Sequence, residues 1–323
     1  MRYILGFDTS CYTTSIAGVA LNGKILFNHQ VPLNVPHGER GLQQSVALFH
    51  HLKNLPLATA YIRESMPRGS LAAVCASVRP RPAKDSYMPV FQFSHHIGQA
   101  VSDLFQVPFY PVSHQESHIM AGLYAVKGPH SSDFLALHLS GGTTELLFVH
   151  PTQTGLEIDL VGNSLDIPAG QFVDRIGVAM GLSFPAGPHL EELAAIGTGS
   201  VMLTGRVKGL DVSFSGPETQ GQRLIKENTP YSEVAYAVYD LLSRIVSKWI
   251  LRAVEMGYPK EILLVGGVSS SNIFRQGLQD RLKKRNRNIR VFFASPELSK
   301  DNAVGTALLG LQVYQLDYLE KRK

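Results

Sequence analysis

Short apolar runs closed by small polar residues recur along the chain. Tyr3 to Phe7 is strand-like and ends in Asp8-Thr9-Ser10. Ser15 to Leu21 is a second such run, followed by Asn22-Gly23, a strong hairpin signal, and by a third strand from Lys24 to Asn28. The same grammar returns later. Phe134 to Leu139 is strand-like and ends in Ser140-Gly141-Gly142-Thr143-Thr144, and Glu145 to His150 runs back as its hairpin partner. Tyr3–Leu21 and Phe134–Pro151 both read strand, polar turn with a Thr-Thr pair, strand. This predicts an internal duplication with a cleft between the halves.

Between the hairpins the apolar period lengthens to that of helices. Leu42 to about Met66, Phe93 to Phe105, and Tyr231 to Met256 are expected helices, the last stopped by Gly257-Tyr258-Pro259. Ile262 to Val265 is a continuous apolar run typical of a buried strand. It leads through Gly266-Gly267 and Ser269-Ser270-Ser271-Asn272 into a helix from Ile273 to Lys284, and a final helix runs from Ala303 to about Leu319. Strands alternating with helices, with a hairpin in each half, predict an α/β fold with mixed sheets.

Composition narrows the class. The 323 residues are 44% hydrophobic and 17% charged, enough for one large or two medium packed domains. Cys11 and Cys75 are too few for a disulfide framework, so reducing cytoplasm is the simplest expected compartment. The first residues turn polar too soon for a signal peptide, and no apolar stretch approaches the roughly 20 residues of a membrane span. A net charge of +4 tolerates a nucleic-acid partner without demanding one. The basic cluster Arg281 to Arg290 reads first as a solvated helix end.

Three small-residue turns follow strands: Asp8-Thr9-Ser10, Ser140-Gly141-Gly142-Thr143 and Gly266-Gly267-Val268-Ser269. Their clustered backbone N–H groups suit phosphate or adenosine, although neither a Walker loop nor a Rossmann fingerprint is present. Ser113 with Glu116 forms a capping box, so a helix should begin there, with His114 and His118 on one face able to share a metal. Twelve histidines placed at random would give roughly 0.4 such pairs, so the location beside the second hairpin matters more than the spacing.

These segments resemble the TsaD family (the former glycoprotease family) in order along the chain. The family's Glu-Thr-Ser-Cys-Asp-Glu-Thr is similar to Asp8–Thr14, its His-x-Glu-Gly-His to His114–His118, and its Val-Ser-Gly-Gly-His-Thr to Leu139–Thr144. Asp166–Arg175, Phe184–Pro188, Val212–Gly216, Gly266–Asn272 and Lys300–Ala303 match further blocks. The resemblance implies the duplicated nucleotide-binding fold of actin, sugar kinases and Hsp70, with two lobes around a nucleotide cleft. Residues 1–110 plus 303–323 would form the N-terminal lobe, and 111–302 the C-terminal lobe with a helical insertion at about 165–230.

It also implies transfer of a threonylcarbamoyl group from threonylcarbamoyl-adenylate to an adenosine beside the tRNA anticodon. His114, His118 and Asp301 would hold a divalent metal, iron or zinc. His138, Leu139, Ser140, Gly141 and Gly142 would cradle the phosphate of the adenylate or of ATP/ADP. Asp174, Gly187 and Asn272 would hold the ribose and adenine, and Asp8 and Glu116 would be catalytic. The implied partners are tRNA and accessory proteins of the TsaB and TsaE kind, with a homodimer or heteromer open and no membrane.

Four departures mark the chain as divergent. Tyr12 and Thr13 replace an acidic pair, Gln171 replaces a glutamate, and Thr143 stands where histidine is usual. The Gly-Pro-Gly-Leu segment corresponds to Ala76–Tyr87, which reads either as a drifted surface loop or as a reshaped cleft edge with Arg79, Arg81 and Lys84 facing an anionic ligand. Two other readings therefore stay open: the same donor chemistry with another acceptor, as in O-carbamoyltransferases, or a non-catalytic partner of a true TsaD. A protease role has no support, since neither a Ser/His/Asp order nor His-Glu-x-x-His is present.

Overall fold

The computed structural model describes residues 1–10, 12–36, 42–65, 71–285 and 288–320. The first part is a meander, β1 (Tyr3–Thr9), β2 (Thr13–Ala20) and β3 (Ile25–Pro32), followed by α1 (Gln44–Ser65), β4 (Leu71–Arg79), α2 (Phe91–Phe105) and β5 (Phe109–Ser113). Helix α3 (His114–Ala125) then leads to a second meander, β6 (Phe134–Leu139), β7 (Thr144–Thr152) and β8 (Gly155–Asn163). After it come α4 (Ala169–Ala179), α5 (Gly187–Ala194), the ribbon β9 (Val207–Lys208) and β10 (Asp211–Val212), and α6 (Ser215–Lys226). The chain continues with α7 (Tyr231–Glu255), β11 (Glu261–Val265), a 3-10 turn (Gly267–Ser270), α8 (Asn272–Arg285), β12 (Arg290–Phe293), α9 (Pro296–Ser299) and α10 (Val304–Glu320).

The duplication is visible in the topology. One sheet runs β3-β2-β1-β4-β5 and the other β8-β7-β6-β11-β12, the same order in both. In each, the first three strands are antiparallel and the last two join parallel to the strand that opens the meander. Both sheets are covered on two faces, so their central strands are apolar on both sides. In β1 the alternation splits Tyr3, Leu5 and Phe7 from Ile4, which packs with Val304 and Ala307 of α10. In β6, Leu135, Leu137 and Leu139 join the large core around α7, while Phe134 and Ala136 pack with Ile119 of α3.

Helices α3 and α10 thus lie back to back between the two sheets, and they touch closely. A Cβ on Gly305 would lie 1.8 Å from the Ser117 carbonyl oxygen. Ser117 and Thr306 hydroxyls meet at 2.9 Å, and Thr306 in turn meets Ser77 of β4 at 3.1 Å. Both helices begin at the same end of this layer, and that shared end is where the chemistry gathers.

The expected elements hold within a few residues. The helix from Leu42 begins at Gln44, and its expected end, Met66, lies outside the described residues, as do Cys11, Asn286 and Arg287. The third strand is longer than expected, reaching Pro32 because it pairs with β2 along its whole length. Among the described residues no helix is long and apolar enough to cross a membrane.

Candidate functional site

Helix α3 starts where the capping box places it. The Glu116 N–H donates to Ser113 Oγ at 3.2 Å, and Glu116 Oε2 accepts from the Ser113 N–H at 2.8 Å. Two orphan donors are thereby satisfied, and His114 is fixed in the first turn with His118 one turn on. Asp301 arrives from the loop just before α10. His118 Nε2 lies 3.1 Å from His114 Nε2 and 3.2 Å from Asp301 Oδ1. One ligand atom from each of these three residues falls within 4.8 Å of the others.

His114 and Asp301 are each held from behind. His114 Nδ1 donates to Asp8 Oδ2 at 2.8 Å, so its Nε2 is turned toward His118 and Asp301. Asp8 is buried, and its Oδ2 also accepts from the Ser77 hydroxyl. Asp301 Oδ2 accepts from Ser10 Oγ at 2.5 Å. The Ser10 carbonyl is bound by His51 Nε2 at 2.7 Å, which leaves His51 Nδ1 to accept from Thr14 Oγ1 at 2.8 Å. Burial lowers the pKa of His51, consistent with a neutral ring.

The electrostatics follow from this packing. Burial opposes the charged form of His114, but the Asp8 carboxylate and Asp301 outweigh it and push His114 up to about 9. Burial alone would raise Asp301; the His118 hydrogen bond, both histidines and Ser10 instead hold it far below the usual carboxylate range. His138 is 3% exposed, and among the described residues neither ring nitrogen has a hydrogen-bond partner. Its ring lies 4.7 Å from that of His118, and burial followed by the two neighbouring histidines drives its pKa well down.

The donor set fits a divalent cation. Two imidazoles and one carboxylate leave coordination positions open, the arrangement of catalytic zinc and non-haem iron sites. A carboxylate behind a ligating histidine is the usual outer-shell partner. His118 Nδ1 and Asp8 Oδ1 are buried without a hydrogen-bond partner among the described residues. Removing the outer-shell charge gives one prediction: Asp8→Asn should lower metal affinity by roughly 10–100-fold without unfolding the chain. Competition with a chromogenic chelator measures it, and an unchanged affinity would count against Asp8 as the orienting group.

The second sheet supplies the other wall. Ser140 N–H donates to Thr143 O at 2.8 Å and Thr143 N–H to Ser140 Oγ at 3.1 Å, closing a tight turn after β6. Helix α4 abuts it: Gly170 N–H donates to Ser140 O at 3.1 Å, and a Cβ on Gly170 would lie 2.6 Å from Gly141 N. Gly266, at φ 93°, lets β11 end against Leu139, whose carbonyl oxygen would be 2.3 Å from a Cβ there. The turn therefore has a fixed back and an open front.

Together these groups line one cavity of about 320 Å³, with Ser10, Tyr12, His114 and Asp301 on one side and His138 and Ser140–Thr143 on the other. The expected residues divide as follows. His114, His138, Ser140, Gly141, Gly142 and Asp301 line it; His118 lies buried directly behind. Leu139 is buried in the core behind the turn. Asp174, Gly187 and Asn272 do not line it. Asp174 accepts from the Ala186 N–H at 2.8 Å at the start of α5, with burial pushing it up to about 6. Gly187 opens the same helix and Asn272 opens α8; Glu191 of α5 bonds Ser271 Oγ at 2.9 Å, so the two helices adjoin.

Four expectations change. Glu116 does not line the cavity, because the capping box takes its carboxylate, so it positions α3 rather than meeting a ligand. Asp8 likewise does not line the cavity, and its carboxylate accepts from His114 Nδ1. Of the three cations expected to face a ligand, only Arg81 lines the cavity, and it is paired with Glu145; Arg79 is half-buried and Lys84 exposed away from it. The third glycine turn, at Gly266, also lies outside the cavity lining. Among the basic cluster, Arg281 pairs with Asp240 and Arg290 with Glu261.

Sequence reasoning missed two cross-cavity contacts. Tyr12 reaches over to Phe184, ring to ring at 5.4 Å, and Arg81 reaches Glu145. Nothing in local spacing signals contacts between residues so far apart.

Known structures share this architecture. An activator of 2-hydroxyisocaproyl-CoA dehydratase from Clostridium difficile, with bound ADPNP, is similar at 12% identity and TM-score 0.57, covering 98% of this chain and 97% of that one. A ROK family glucokinase from Streptomyces griseus, in complex with glucose and AMPPNP, is similar at 13% identity and TM-score 0.52, covering 95% and 98%. HypF from T. kodakarensis is similar at 16% identity and TM-score 0.57, covering 98% of this chain and 48% of that chain. These likenesses show the duplicated actin, sugar kinase and Hsp70-like fold. The model of the family described as TsaD, tRNA N6-adenosine threonylcarbamoyltransferase, matches residues 93–308, from α2 through His114, His118, the Ser140–Thr143 turn and Asp301 into α10. The chain belongs to the TsaD family.

Proposed function

We propose that this protein transfers a threonylcarbamoyl group from threonylcarbamoyl-adenylate to the amino group of an adenosine beside the tRNA anticodon. The observation that carries this reading is the convergence, at one cavity, of the His114–His118–Asp301 cluster, whose His114 and Asp301 line it, with the Ser140–Gly142 turn. Family membership and nucleotide-bound structures of the same fold support it. A divalent ion, iron or zinc, would be held by the three ligands and, when bound, supplies Lewis acidity at the carbamoyl–phosphate end of the donor.

The chain's own residues do the rest. Asp8 accepts from His114 Nδ1, which would leave the Nε2 lone pair available to hold the ion. The backbone of Ser140–Gly142 offers N–H groups to the phosphate, with Gly142 free of any atom within 4 Å of a Cβ position. The adenosine half is assigned to the α5–α8 junction, where Asp174, Gly187 and Asn272 would meet ribose and adenine; a carboxylate can accept from both sugar hydroxyls. TsaB-like and TsaE-like proteins are the proposed partners, and the cytoplasm the proposed compartment.

A second reading keeps the donor and changes the acceptor. It is favoured by the Tyr12–Phe184 and Arg81–Glu145 contacts, made by Tyr12 and Arg81, two cavity-lining residues at which the sequence departs from the family pattern. The deciding experiment depletes the endogenous transferase, supplies this protein with its partners, and quantifies threonylcarbamoyladenosine in digested tRNA. Restoration is expected. If none occurs while the partners are present, tRNA is not the acceptor.

A further inference from the structure

Arg81 and Glu145 come from opposite walls of the cavity, Arg81 from the loop after β4 and Glu145 from β7. Their side chains form an ion pair through Arg81 Nη2 and Glu145 Oε1. Glu145 is 3% exposed, and its other oxygen accepts from Gln115 Nε2 at 2.6 Å. The Gln115 N–H in turn donates to Pro80 O at 3.0 Å, and the Arg81 N–H to Ser86 Oγ at 2.9 Å. Both the base and the tip of Arg81 are therefore anchored.

A half-exposed ion pair adds little stability, and burying a carboxylate costs desolvation that an uncharged side chain would avoid. Stability therefore does not explain the pair. A guanidinium, however, has five N–H donors in a rigid fork, and one contact with Glu145 leaves most of them. The Arg81 side chain is 53% exposed and lines the same cavity as His114 and Ser140. We propose that Arg81 is an oxyanion-binding residue of the cavity and that Glu145 is the positioning residue that aims it. The ligand group is an oxyanion of the donor, either the carboxylate of the amino-acid part or the phosphate of the adenylate. The inference rests on the donor reading given above.

Two probes separate the sources: N-carbamoyl-L-threonine carries the carboxylate alone and AMP the phosphate alone. Calorimetric titration of the full-length chain, wild type against Arg81→Ala, should show roughly ten-fold or greater weakening for one probe, at unchanged metal content and melting temperature. Weakening for N-carbamoyl-L-threonine assigns the carboxylate; weakening for AMP assigns the phosphate. Arg81→Lys keeps the charge but loses the fork, and should recover only part of the affinity. Glu145→Gln should weaken the same probe as Arg81→Ala, which a purely structural role would not select. Equal affinity of wild type and both Arg81 variants for both probes overturns the inference. Failure of the wild type to bind either probe would instead sink the donor reading, and the inference with it.

Discussion

Gly305→Ala is expected to destabilise the protein by about 3 kcal/mol or more, at or above the upper end of the usual cost of overpacking a core. The new Cβ would lie 1.8 Å from Ser117 O, 2.7 Å from Ser117 C and 3.0 Å from Ala121 N. All three are backbone atoms of α3, so no rotamer change can relieve the clash, and α10 must move away from α3. The displacement is transmitted to the site, because α3 carries His114 and His118 while Asp301 leads into α10. It would also strain the hydroxyl chain from Ser117 through Thr306 to Ser77, which donates to Asp8. The variant should therefore lose metal affinity together with stability. Gly216→Ala is the control: no atom lies within 4 Å of its Cβ position, so its melting curve should be unchanged. Denaturant unfolding of both variants reads the difference. A Gly305→Ala protein as stable as wild type would mean that the two central helices are not packed as described.

Much of this fold is written in local pattern. The two hairpins are legible because apolar runs end in small polar turns, and the start of α3 is legible because a capping box fixes it. Strands β4 and β5 leave no such mark in the sequence. Leu71–Arg79 is dominated by small residues such as Ala72, Ala73 and Ala76, and Phe109–Ser113 is short and interrupted by Pro111, so neither shows a strand period. Both find their place only through pairing with strands distant in sequence.

The site divides in the same way. The His114 and His118 spacing is local, yet spacing alone does not distinguish a metal site from chance. Asp301 enters only through the family resemblance, because 183 residues separate it from His118. The contacts Asp8–His114 and Arg81–Glu145 are decided by tertiary packing, and no spacing rule reaches them. Glu116 shows the converse: the capping box that made the helix legible also consumes the carboxylate expected to act in catalysis.

The largest effect on chemistry is expected from His118→Ala. His118 Nε2 is the nearest common neighbour of the other two ligands, at 3.1 Å from His114 Nε2 and 3.2 Å from Asp301 Oδ1. Deleting it leaves two ligand atoms, 3.6 Å apart, too few for the tetrahedral or facial sites that two histidines and a carboxylate build. Metal affinity should fall by more than about 100-fold, beyond the range seen when only an outer-shell partner is lost. Since the ion's Lewis acidity is worth several kcal/mol, group transfer should fall by at least about 100-fold as well. Fold is checked independently by circular dichroism. The direct measurement is the metal content of purified wild type and His118→Ala after equilibrium dialysis against micromolar zinc or ferrous iron. The account predicts close to one ion per chain in the wild type and almost none in the variant. Equal content in the two proteins, or none in either, would contradict a metal centre at His114, His118 and Asp301.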